Sequence, residues 1–273
     1  MDKNTVRKPA VAGQFYPATS NSIQKQIDSF LPGSVQKKDV IGCMLPHAGY
    51  MYSGMVAAQT AARVMVKDTV ILLGPNHTGL GAAFSLMAAG TWQTPMGNIG
   101  IDEDLAQAIL SGSQYLEKDD LAHAREHSLE VELPILQYFR KDFRIVPIAF
   151  GSDDFTALTD VGTAIAQAVK DKKQAATTLL VASSDMTHYE PAAAARKKDD
   201  LAINAVLNLD ARALWETIRS KNITMCGYMP VITMLTAAKA LGATKAELVK
   251  YATSGDVTGD NSSVVGYAGI IIY

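Results

Sequence analysis

Cysteine is nearly absent from this chain: there are two in 273 residues, Cys43 and Cys226. That is too few for a disulfide framework, so thiol chemistry rests on single side chains. Strong charge of either sign is missing too. Twenty-five Lys and Arg face 27 Asp and Glu, for a net charge of -2 and a pI near 6.2. With no dense basic stripe, nothing draws the chain to nucleic acid or to anionic membranes. No apolar run approaches the roughly 20 residues of a membrane-spanning helix; the longest lies near "VVGYAGIIIY" at the C-terminus. The opening "MDKNTVRKPAVAG" lacks the apolar stretch of a signal peptide, and the expected location is cytoplasmic. Histidine is also scarce, with five in all, which makes each position informative.

A hydrophobic content of 48% supplies ample core for one domain spanning residues 1–273. "VIGCML" (40–45), "TVILLG" (69–74), "FRIVPIAF" (143–150), "TTLLVASS" (177–184) and "VVGYAGIIIY" (264–273) are near-continuous apolar runs, as in strands buried on both faces. Helical spacing occupies 53–67, 102–110, 155–170, 192–207, 211–219 and 230–242. This alternation predicts an α/β three-layer sandwich with a central, mostly parallel sheet and helices on both faces. The turn-rich stretch 84–102 breaks the rhythm and reads as an antiparallel excursion.

In open α/β sheets, ligands bind outside the carboxyl ends of the strands. In "LPHAGYMYSG" His47 lies two residues past the first strand pattern, and in "LLGPNHTG" His77 lies three past the second; "LLVASSDMTHY" brings Asp185 and His188 just past the fourth. Any one of these has an ordinary alternative as a cap or loop contact, but together they point to one crevice. "MCGYMPVITML" puts Cys226 ahead of an apolar helix expected to begin at Pro230, where a helix N-terminus would lower the thiol pKa. Cys43, inside a strand pattern, reads as a small buried hydrophobe. In "AREHSLEVELP" His127 and Glu130 would share a helix face capped by Ser128, or form a surface ion pair; Pro134 lies too deep for that helix to run uninterrupted. His123 has no such context and reads as solvated. Asp256 and Asp260 fall in a polar turn before the last strand, within reach of the crevice.

"KPAVAGQFYP", "LPHAGYMYSG", "LLGPNHTG", "EHSLEVELP", "VASSDMTHY", "MCGYMP" and "ATSGDVTGDNSSVVGYAG" together resemble the Memo family, known in prokaryotes as AmmeMemoRadiSam system protein B. The resemblance runs from about residue 7 to the C-terminus. It implies a fold similar to the class III extradiol dioxygenases, which open catechol rings with a non-haem Fe(II). It also implies a metal held by His47, His77 and Cys226, with Asp185 and His188 lining the same pocket, and a functional link to other AmmeMemoRadiSam system proteins.

Two imidazoles and a thiolate leave a coordination position open for water, O₂ or substrate, unlike a closed structural zinc site. Extradiol enzymes complete their histidine pair with a carboxylate, so Cys226 is a departure. The softer thiolate lets Cu(I) or Zn(II) compete with Fe(II), the ion that the resemblance implies. His188 is placed to move a proton and Asp185 to orient a neighbour. Three functions stay open: an iron-dependent oxidoreductase acting on a small molecule, a non-catalytic holder of metal or peptide, and a zinc-dependent hydrolase.

Overall fold

The computed structural model describes residues 5–273. Its strands are β1 (Val6–Arg7), β2 (Gly42–Leu45), β3 (Thr69–Pro75), β4 (Phe84–Leu86), β5 (Thr91–Thr94), β6 (Gly97–Gly100), β7 (Glu117–Lys118), β8 (Arg144–Phe150), β9 (Thr178–Ser183), β10 (His188–Glu190), β11 (Ala246–Thr253) and β12 (Val264–Ile272). Its α-helices are α1 (Ser20–Phe30), α2 (Tyr50–Ala62), α3 (Glu103–Gly112), α4 (Glu132–Phe139), α5 (Phe155–Asp171), α6 (Ala192–Leu207), α7 (Ala211–Ser220), α8 (Tyr228–Ala240) and the single turn α9 (Gly255–Thr258).

All five apolar runs become strands of one nine-stranded sheet. Its spatial order is β10-β12-β2-β9-β3-β8-β4-β7, with β11 also on β12. The central four, β2, β9, β3 and β8, are parallel, so their carboxyl ends open on one side. Every residue of β2, β3 and β9 is buried, as strands covered on both faces require. Antiparallel strands complete the sheet on either flank, β12 against β2 and β4 against β8. The turn-rich stretch is indeed an antiparallel excursion: β5 and β6 form a hairpin joined to β1 in a separate three-stranded sheet.

Two glycines show how closely the helices cover the two faces. A side chain on Gly42 would meet Met234 of α8, and one on Gly269 would meet Thr60 of α2. Ile272 pairs with Gly42, and Gly269, an odd number of residues along the same strand, faces the other way. Thus α8, packed on α5, covers one face. On the other lies α2, with α1 and α4 beside it in a second apolar cluster around Ile23, Ile27, Ala58 and Ile135.

Several local readings are corrected. Helix α2 starts at Tyr50, immediately past the histidine loop, and α8 starts at Tyr228, so Pro230 sits in its first turn. Pro134 likewise falls in the first turn of α4, where a missing N–H costs nothing. Ser128 does not cap that helix; its hydroxyl donates to the Pro75 carbonyl at 2.8 Å. Helix α1 lay outside the reading of the sequence, although Thr19 caps it and Ile23 and Ile27 carry the i, i+4 spacing. His123 is fully buried, against the solvated reading: its Nε2 reaches the Ser85 carbonyl at 3.2 Å and its ring packs edge-on to Trp92.

Candidate metal centre

His47 follows β2 and is 2% exposed. Its Nδ1 lies 2.7 Å from Ser183 Oγ at the end of β9. That hydroxyl has one proton, and the Ser128 carbonyl, 2.7 Å away, can only accept it. Ser183 Oγ therefore accepts from His47 Nδ1–H, and from Glu132 Oε1 at 2.8 Å if Glu132 carries a proton. Burial pushes the Glu132 carboxyl well up, as that arrangement requires. Its other oxygen has no hydrogen-bond partner among the described residues. The result holds His47 in the Nδ1–H tautomer, with the Nε2 lone pair aimed outward. Burial and the neighbouring His77 lower its pKa further, keeping the ring neutral.

His77, in the loop after β3, is backed by a charged group. Its Nδ1 donates to Glu126 Oε1 at 2.9 Å, and its backbone N–H donates to Glu126 Oε2 at 2.5 Å. Glu126 is fully buried and also accepts from the backbone N–H groups of His127 and Ser128, each at 2.9 Å. Burial alone would raise its pKa, but the bond from His77 and these N–H groups hold it near 2. His77, Glu126 and His127 have ligand atoms within 4.8 Å of one another. Because four donors already occupy the carboxylate, this group reads as support behind His77. His127 stacks on His77 with centroids 4.7 Å apart and meets Phe15 at the same separation with the rings tilted by 44°.

Cys226, one residue before the N-cap of α8, brings its Sγ to 3.3 Å from His47 Nε2. The ligand atoms of His47, His77 and Cys226 all lie within 4.8 Å of one another. Thiolate at ~2.3 Å and imidazole at ~2.1 Å around a tetrahedral ion would stand roughly 3.6 Å apart, so the donor set fits a transition metal with a small adjustment. The expected lowering of the thiol pKa is not found: burial and the nearby Asp185 carboxylate push it well up. Placement before a helix start does not outweigh desolvation here. Cys43 is buried, as expected.

Asp185 and His188 stand beside this cluster and outside it. Asp185 Oδ1 accepts from the backbone N–H groups of His47 at 2.8 Å and Ala48 at 3.3 Å, so it fixes the loop that carries His47. Burial raises its pKa to about 6. His188 donates Nδ1–H to the Thr224 carbonyl at 2.9 Å, leaving Nε2 available as a proton acceptor. Both line a cavity of about 580 Å³ with His47, His77 and His127. Asp260 also lines it, whereas Asp256 caps its own turn by accepting from the Thr253 N–H.

Glu130, paired with His127 in the sequence reading, points away from the cavity. It accepts from Tyr16 Oη at 2.6 Å and from the N–H groups of Ala10 and Val11, and forms a buried ion pair with Arg7. Sequence reading missed Glu126, Ser183 and Glu132. Glu126 had one usable signal, its place directly before His127.

The chain matches the Memo-like protein family over residues 7–271. It is 46% identical to a MEMO1 family protein of Methanosarcina barkeri, covering 98% of this chain and 100% of that one. A MEMO1 family protein of Nitrosopumilus maritimus is 42% identical over 97% of this chain and 98% of its own length. An uncharacterized Escherichia coli K12 protein of known crystal structure shares the fold, with a TM-score of 0.53 at 13% identity over 84% of this chain and 98% of that one. Motifs, length and relatives thus agree, and the chain belongs to the Memo family.

Proposed function

We propose that this protein holds one transition-metal ion on His47 Nε2, His77 and the Cys226 thiolate, acts as a single domain, and uses the ion for redox chemistry on a small ligand. The observation that carries the reading is the convergence of these three donor atoms beside a cavity that His47 and His77 line. Fe(II) is the proposed ion, as in the resemblance; the soft thiolate lets Cu(I) and Zn(II) compete for the same donors. When bound, an open-sided ion supplies Lewis acidity and, if iron or copper, electron transfer.

The chain's own groups do the rest. Ser183 and Glu126 hold the two imidazoles in the tautomer that offers Nε2. Asp185 keeps the His47 loop in place, and His188 Nε2 takes or returns a proton at the ligand. A proton-accepting histidine beside the donors favours turnover over simple chelation. The thiolate in place of a carboxylate is what favours the second reading, a non-catalytic holder of metal or peptide.

Anaerobic purification with elemental analysis tests the site. About one ion per chain is expected, most of it lost in His47→Ala, His77→Ala and Cys226→Ala and retained in His188→Ala. Full occupancy in Cys226→Ala would overturn the ligand set. Iron-dependent oxygen uptake that His188→Ala abolishes would support turnover with His188 moving the proton; uptake unaffected by that change would remove His188 from it, and no uptake by the iron-loaded protein would favour the chelator.

A further inference from the structure

We propose that the outer half of this pocket is a cation cage, in which Tyr52, Tyr189, Tyr267 and Asp260 hold the ammonium end of a small organic amine. The inference rests on the metal reading above and adds the class of ligand. The amine's other end lies toward His47, His77 and Cys226.

Charge is the first support. Among the described residues no Lys or Arg lines the cavity, while Asp185 and Asp260 do. Glu126 stands directly behind His77. A divalent ion bound to a thiolate keeps one positive charge, against three carboxylates. The cavity therefore stays negative even when loaded, and a phosphate or carboxylate ligand would find no basic partner. An ammonium group would be attracted.

Ring placement is the second. Tyr52, Tyr189 and Tyr267 line the same cavity as Asp260. Aromatic faces attract cations at close range, more so away from water. The cavity volume of about 580 Å³ suits one small molecule.

Tyr189 is the third. It is 80% exposed and adopts φ +61°, between His188 and Glu190 where the register of β10 against β12 shifts. Left-handed backbone is costly for a tyrosine, and its ring is not buried in return. Packing within the chain does not explain the residue; a ligand that covers the ring does.

The test uses three probes that share a phenol ring: tyramine, p-cresol and 4-hydroxyphenylacetate. Each is titrated by calorimetry into the full chain, both metal-free and zinc-loaded, with zinc content measured in every sample. Tyramine should bind at least ~10-fold tighter than 4-hydroxyphenylacetate in both forms. Asp260→Asn should reduce that ratio to about 3-fold or less, and Tyr189→Asn, which tolerates the left-handed backbone, should weaken tyramine about 5- to 10-fold. Equal affinity for the three probes, no tyramine binding at ~10 mM, or a ratio unchanged in both variants would overturn the cage. Zinc retained without amine preference sinks the cage alone; amine preference in a protein whose donor residues hold no zinc sinks the metal reading alone.

Discussion

His77 is exposed at the pocket while the carboxylate behind it is fully buried, so the strength of this donor is set by a residue solvent never reaches. In Glu126→Gln one oxygen is replaced by an NH₂ group that faces N–H donors, and the charge behind the imidazole is lost. Metal affinity should fall about 10- to 100-fold, with the ion still bound by the same three residues, as competition with a chromophoric chelator would show. His123 gives a separate residue-scale expectation. Burial lowers its pKa to about 4 from 6.5. Its contribution to stability is therefore complete above about pH 6.5 and lost as pH falls toward 4; the gap corresponds to about 3 kcal/mol. Glu126, held near 2 from 4.5, adds a loss only below about pH 4.5. Urea unfolding between pH 7 and 4 should show the first loss, and His123→Gln should flatten it. A variant with the slope of the parent would assign that acid sensitivity elsewhere.

At the scale of elements, the N-terminal segment before α1 is fastened to the turn before α4. Arg7 is 6% exposed, pairs with Glu130, donates Nε to the His123 carbonyl at 3.0 Å and lies over the Trp92 ring. Removing one partner of such a pair leaves a charge buried without compensation. Glu130→Ala should cost about 3–5 kcal/mol in denaturant unfolding and open the segment to limited proteolysis. Phe15, on the same segment, lines the pocket against His127, so loosening it should also weaken ligand binding. An unchanged midpoint would deny the clamp. The segment's motif was visible in the sequence, but its anchor was not: Glu130 and His127 were given a common helix face, whereas α4 starts at Glu132 after a turn closed by the Val131 N–H on the His127 carbonyl at 3.0 Å, and Glu130 turns to Arg7.

For the molecule as a whole, the site depends on how closely α8 approaches the end of β9. A Cβ on Gly227 would stand 2.2 Å from the Ser183 carbonyl oxygen and 2.5 Å from Ser184 Cβ. Gly227→Ala must push the start of α8 off the sheet and carry Cys226 with it. Expected are a drop in melting temperature and a loss of metal affinity of about tenfold or more, while Gly100→Ala, in open space, leaves affinity unchanged. Retained affinity in Gly227→Ala would show that the thiolate is not placed by this contact. The sequence by itself determined the buried strands and the histidines just past their carboxyl ends, because strand burial and strand ends are written in short runs of neighbouring residues. Only the tertiary structure decided that Cys226 meets His47 across 179 positions, that Glu126 and Ser183 back the two histidines, and that His123 is buried. Those outcomes depend on which polar groups satisfy one another in a dry crevice, a condition that no local pattern encodes.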